Sequence, residues 1–193
     1  MPAAPPLSDP TLRELVRRLD EAMVRHDDAL RCREVQRVLQ ETLVSGAQFL
    51  DPGLLVPDPE GYTRRLVHRD PGGRYTVLAL AWAAGQGTPL HDHGGIWCVE
   101  GVYAGRIRVT TYSCQGGDPE HDLVRFRKES VTYAGVGEAG ALIPPFEYHL
   151  LENAGAGPAA TLHVYGGELD HCHVFEPAGN LWLRRYHEPA YTA

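Results

Sequence analysis

A chain of 193 residues with 18 basic and 25 acidic side chains, net charge −7, can bury a hydrophobic core without disulfides or a structural metal, and is expected to form a single domain. It carries no run of Lys or Arg, so it lacks the electrostatic footprint of a nucleic-acid or anionic-membrane binder, and small molecules are the expected partners. The opening MPAAPPLSDP has no signal-like region, no stretch nears the roughly 20 apolar residues of a membrane span, and Cys32, Cys98, Cys114 and Cys172 are irregularly spaced, which together imply a cytoplasmic protein with reduced thiols.

The first predicted element is a helix. Asp9 followed by Pro10 has the form of an N-cap and first helical residue, and Leu12, Leu15, Val16, Leu19 and Met23 recur at helical spacing. A second amphipathic segment runs from about Asp28 to Val44, with Leu30, Val38, Leu39 and Leu43 on its apolar side and a stop near Gly46. From Tyr62 the period changes to short β-branched and aromatic runs: YTRRLVHR, RYTVLALAWA, IWCVEGVY, RIRVTTYS, LVRFRKESVTYA, ALIPP, HLLENA, ATLHVYGG, CHVFEP and NLWLRRYH. Turns such as Asp70-Pro71-Gly72-Gly73, Ala104-Gly105 and Gly135-Val136-Gly137 separate them. Strands this short with turns this dense predict a closed barrel or a jelly-roll sandwich. The expected layout is a mainly β single domain, with a helical cap over 1–50 packed on a barrel over 51–193.

Within this pattern, TPLHDHGGIWCVEG places His91 and His93 two apart, a spacing that on a strand points both rings to one face. By itself such a pair is a weak signal, equally readable as two polar residues beside a turn. The stretch from Gly85 to His93 resembles the first motif of the cupins, a Gly, five residues and then HxH, with Gly105 at its closing Gly. Pro144, His149 and Asn153 keep the spacing of the second motif, in which the histidine is a further metal ligand; Phe146 stands where a Gly is usual, and Gly137 is one position out of step. A cupin normally adds a glutamate ligand where this chain has Cys98, and Glu100 is the nearby alternative. Three imidazoles leave a divalent metal its full charge and open positions, without choosing among iron, nickel, copper and zinc.

The chain from Tyr62 to His173 also resembles the thiol dioxygenases, the cysteine dioxygenase family of cupins. YTRRLV is similar to the segment whose arginine grips the substrate carboxylate, which implies substrate binding by Arg64 with Tyr62 beside it. HDHGGIWC resembles the segment supplying two iron ligands and a cysteine that some members join to a tyrosine by a thioether, here Cys98 and Tyr165. HLLENAGAGPAATLHVY resembles the stretch with the third ligand, His149, and a relay that reads here Thr161, His163 and Tyr165, with threonine in place of serine. CHVF, with Cys172, matches as well, and the last twenty or so residues add little.

The resemblance implies Fe(II) on His91, His93 and His149 and the oxidation of a small thiol carboxylate to its sulfinic acid by O2. Arginine at position 64 implies L-cysteine as substrate, with 3-mercaptopropionate as the alternative. Rivals from other classes are a non-catalytic small-molecule-binding cupin and a zinc or nickel isomerase or hydrolase. The plainer readings are that Arg64 and Arg65 are solvated strand charges, that His163 and Tyr165 are a satisfied core pair, that Trp82, Trp97 and Trp182 are core, that His26, His68, His121 and His187 are surface, and that His171 and His173 are a pair without a third ligand. Nothing in the sequence sets an oligomeric state.

Overall fold

The computed structural model describes residues 6–118, 121–145 and 147–192; Phe146, the departure in the second motif, lies outside them. Helix α1 spans Pro10–Ala22 and α2 Asp28–Val44, followed by a 3-10 turn at Pro52–Leu55. The strands are β1 (Thr63–Arg69), β2 (Thr76–Trp82), β3 (Leu90–His91), β4 (Cys98–Ala104), β5 (Arg106–Asp118), β6 (Leu123–Gly135), β7 (Ala139–Leu142), β8 (His149–Asn153), β9 (Ala159–Tyr165), β10 (Cys172–Ala178) and β11 (Leu181–His187). The first helix begins, and the second begins and ends, as predicted: Asp9 accepts from Thr11 N and Leu12 N, Asp27 accepts from Leu30 N, and Gly46 adopts φ +66° after the second helix. The expectation fails at Leu30, which is 50% exposed. Cys32 and Val35 occupy the buried face instead.

One sheet runs β1-β2-β9-β4-β7, and a second, β10-β11-β6-β5-β8-β3, closes on itself. The closing strand is the two-residue β3, too short for a periodicity reading, which bridges β10 and β8. Every residue of β2 and of β9 is buried, because the five-stranded sheet is covered on both faces. On its outer face Val77, Ala79, Val99, Tyr103, Ala160, Leu162 and Val164 pack with Leu15, Leu19, Val35, Leu39 and Leu43 of the helices. On its inner face Leu78, Leu80, Trp82, Cys98, Val102 and Tyr165 form a second cluster with Ile107 and Leu151 of the closed sheet.

The helices are also tied down by polar contacts. Gln36 Nε2 donates to Ala139 O at 2.6 Å, and the Tyr103 hydroxyl accepts from Phe49 N and Leu50 N at 3.0 and 3.3 Å, so the segment after α2 cannot drift from β4. Arg18 of α1 pairs with Glu41 of α2. No described helix is long and apolar enough to cross a membrane.

Alternation then decides what faces inward. Because successive side chains on a strand point to opposite faces, the helices' claim on Ala160, Leu162 and Val164 sends Thr161, His163 and Tyr165 to the interior. The same logic turns Cys98, Glu100 and Val102 of β4 inward. Arg64 sits opposite Leu80 on β2 and joins them. Leu39 is fully buried against the sheet, so Leu39→Ala is expected to lower stability by ~2–5 kcal/mol, whereas Leu30→Ala should stay within ~0.5 kcal/mol. Equal denaturant midpoints for the two variants would contradict the helix–sheet core.

Candidate active site

The three predicted ligand histidines come together between the two sheets. His91 of β3 lies directly opposite His149 of β8. His93 lies beyond the end of β3 rather than on it, a correction to the strand reading of HxH. The chain turns there through Gly94 at φ +60°, where a Cβ would stand 2.5 Å from the His171 carbonyl oxygen. Ring centroids are 5.2 Å apart for His91 and His93, 5.1 Å for His93 and His149 and 4.6 Å for His91 and His149. Their ligand nitrogens all lie within 4.8 Å of one another.

This donor set fits a divalent metal. The Nδ1–H of His91 donates to Pro89 O at 3.1 Å, which leaves Nε2 with its lone pair turned toward His149 Nε2, 3.3 Å away. His93 Nδ1 and His149 Nδ1 are buried without a hydrogen-bond partner, a state that buried polar atoms seldom tolerate. Burial pulls the imidazolium forms down, to about 4 for His91 and well below the ordinary 6.5 for His93 and His149. All three lone pairs are therefore available at neutral pH.

Beside them runs a chain of hydrogen bonds with a definite direction. Trp82 Nε1–H, which can only donate, gives to Thr161 Oγ1 at 3.0 Å. The Thr161 hydroxyl then donates to His163 Nε2 at 2.8 Å, and the remaining proton of a neutral His163 sits on Nδ1, 3.4 Å from the Tyr165 hydroxyl. His163 is held neutral by burial, which draws it down to about 3. Burial also pushes the Tyr165 phenol well up, so it keeps its proton and can donate it into the pocket. Cys98 sits opposite Tyr165 in the β4–β9 register, with Sγ 3.9 Å from His163 Nδ1; burial raises its thiol well above the ordinary value.

A cavity of about 320 Å³ opens onto His91, His163 and Tyr165 and is lined by Tyr62, Arg64 and Cys172 as well, a size suited to a small ligand. Arg64 is 7% exposed, not a solvated strand charge. Its guanidinium spends one donor on Ala190 O at 3.2 Å and lies 5.9 Å from the centre of the Tyr191 ring. Tyr62 stacks on Trp82 with centroids 4.8 Å apart.

Three features escaped the sequence reading. Trp82 is core, as expected, yet it starts the hydrogen-bond chain, a role visible only once β2 and β9 are paired. The chain end does more than the motifs suggested: β11 pairs with β10 and β6, His187 and Pro189 line the cavity, and Thr192 Oγ1 accepts from Arg64 N at 3.0 Å. Surface is the wrong assignment for His68, which is half-buried with its ring 5.7 Å from that of Tyr75. His171 and His173 bind Asp170 and Asp92 and join no metal-binding group among the described residues. Trp97 is buried, and Trp182 is half-buried against Tyr112 and Phe126.

Two packed sheets closing over converging imidazoles define the class: a cupin barrel with a candidate metal centre, capped by two N-terminal helices. Residues 1–178 match the model of the family described as cysteine dioxygenase type I, and the chain belongs to that family. It is 27% identical over 167 residues to cysteine dioxygenase type 1 of Rattus norvegicus and 25% identical over 167 residues to that of Homo sapiens, covering 86% of this chain and 79% of each relative. Among solved structures, a double-stranded β-helix protein from Klebsiella pneumoniae subsp. pneumoniae superposes with a TM-score of 0.47 at 16% identity, over 63% of this chain and 90% of that one.

Burial of neutral imidazoles carries a pH signature. Below the ordinary 6.5 the unfolded chain takes up protons that the folded one refuses, so stability falls as pH drops from 6.5 toward about 4 for His91 and about 3 for His163, with His93 and His149 acting in the same sense. Each group contributes up to ~1.4 kcal/mol per pH unit. Glu100, raised to about 8 by burial, opposes this between pH 8 and its ordinary 4.5, and Glu147, raised by burial, acts in the same direction as Glu100, while His68, lowered by burial, adds to the histidine effect. Urea unfolding of the chelator-treated protein should therefore show a falling midpoint from pH 6.5 to 5, and a flat or rising one would contradict neutral burial.

Proposed function

We propose that this protein is a thiol dioxygenase that converts L-cysteine to cysteine sulfinic acid with O2, using Fe(II) held by His91, His93 and His149. The observation that carries the reading is one small cavity lined by His91, His163, Tyr165 and the buried Arg64, with His93 and His149 clustered behind His91 and Thr161 bonded to His163. Iron supplies the redox chemistry that lets O2 react with a thiolate, and both oxygen atoms end on the substrate sulfur.

The protein's own residues do the rest. Arg64 offers a planar fork of donors that matches a carboxylate in two parallel hydrogen bonds, orienting the substrate with its thiol toward the histidines. Tyr165 donates its hydroxyl proton to the reacting groups, steadied by His163 and, through Thr161, by Trp82. Leu80, Leu151 and Leu169 on the cavity wall exclude water, strengthening each of these contacts. Cys98 and Tyr165, opposite one another, would join as a thioether when Sγ bonds to the phenol ring and O2 accepts the two hydrogens lost. We place the whole reaction in one cytoplasmic domain of helical cap and barrel.

A second reading is 3-mercaptopropionate as substrate. No carboxylate is among the described residues lining the cavity, so no acidic side chain there recognises an ammonium group, and the thiol and acid that Arg64 serves are common to both molecules.

The test is O2 uptake by the Fe(II)-loaded protein with L-cysteine and with 3-mercaptopropionate, with the sulfinate identified. Higher kcat/KM for cysteine is expected, and Arg64→Gln should lower it about 10- to 100-fold, the ~1.5–3 kcal/mol of a hydrogen bond to a charged group, chiefly through KM. Preference for 3-mercaptopropionate would overturn the substrate, and no uptake with either would favour a binding protein. An intact mass two hydrogens lower after turnover would mark the thioether; an unchanged mass would exclude it.

A further inference from the structure

Glu100 lies inside this site with no role yet attached to it. Cupin spacing puts a carboxylate ligand at Cys98 and leaves Glu100 as its stand-in, but the geometry gives Glu100 a different neighbour. Its Oε1 is 3.7 Å from His149 Nδ1, and its Oε2 is 3.5 Å from His163 Nδ1. His149 turns its other nitrogen, Nε2, toward His91. The carboxyl therefore stands behind the His149 ring, on the side away from the converging nitrogens.

Two groups short of a partner meet there. Glu100 is 8% exposed and His149 is fully buried; His149 Nδ1 lacks a hydrogen-bond partner, as does Glu100 Oε2, the oxygen that faces His163, while Oε1 is the oxygen toward His149. A buried N–H and a buried carboxyl are each costly alone, and each offers what the other needs. The backbone fixes the approach, because Glu100 pairs with His163 on one side and Gly140 on the other in the centre of the sheet.

We propose that Glu100 is a positioning residue whose carboxyl accepts the Nδ1–H of His149, and faces that of His163, so that His149 presents Nε2 to the metal. A carboxyl keeps an acceptor oxygen whether or not it is protonated, so the role does not depend on its charge. Such a partner fixes the tautomer and orientation of a ligand imidazole and raises its basicity, and losing one typically weakens metal binding about 10- to 100-fold. The proposal rests on the three-histidine metal reading above.

The test is Co(II) affinity of the full chain under anaerobic conditions, by competition with a chromophoric chelator, together with the visible spectrum of the Co(II) form. Glu100→Leu should weaken Co(II) about 10- to 100-fold. Glu100→Gln keeps an acceptor oxygen and should stay within several-fold of wild type, with unshifted bands because the donor atoms are unchanged. Wild-type affinity in Glu100→Leu would overturn the proposal. Shifted bands in Glu100→Gln with a loss as deep as that of Glu100→Leu would make Glu100 a ligand, which also overturns it. If Glu100→Leu fails to fold, Glu100→Met, nearer in volume, gives the same comparison. A wild-type protein that does not bind Co(II) would instead remove the metal reading and this proposal with it.

Discussion

The site depends on a sheet that is buried on both faces. Helices α1 and α2 cover one side of the five-stranded sheet and the closed sheet covers the other, so β9 and β4 are buried along nearly their whole length. Polar side chains on such strands can survive only in each other's company, since an unpaired buried polar group costs ~1–3 kcal/mol. Thr161, His163, Tyr165, Cys98 and Glu100 are that company. A slip of β4 by one residue against β9 would turn Cys98 and Glu100 toward the helices and away from Tyr165 and His163, so the cap, remote from the chemistry, sets which side chains reach it.

The same burial tunes the groups. Desolvation is the first cause of the shifts at His91, His93, His149, His163, Tyr165 and Cys98, and in each case it favours the uncharged form. Neutral imidazoles are what a divalent metal needs, and a neutral phenol is what a proton donor needs. Arg64 is the exception, a cation in the same cavity with donors left over after Ala190. The cavity thus combines mostly neutral groups with one buried guanidinium.

Much of this could be read from the residues. Caps at Asp9 and Asp27 and a helical period gave both helices, and alternating β-branched runs bounded by Gly gave the longer strands. HxH, the later His149 and the Thr161, His163, Tyr165 triplet kept recognisable spacing, so the centre could be drawn before any coordinates. What was hidden needed pairing across the chain. Leu30 and Cys32 lie on opposite sides of α2, and packing against the sheet claims the side of Cys32, Val35 and Leu39. The Trp82 donor bond and the Glu100 contacts join residues 79, 49 and 63 positions apart. The last residues carry no motif, yet Ala190 and Thr192 grip Arg64 because β11 returns the chain across the barrel.

The central claim is that the cation belongs to the three imidazoles and not to the neighbouring group formed by Cys98, Glu100 and His163, whose ligand atoms also lie within 4.8 Å of one another. An anomalous difference map of crystals of the anaerobic Fe(II)-loaded protein, collected at the iron edge, separates the two. The account predicts a single peak among His91, His93 and His149. A peak at Cys98, Glu100 and His163, or none at full iron loading, would contradict it.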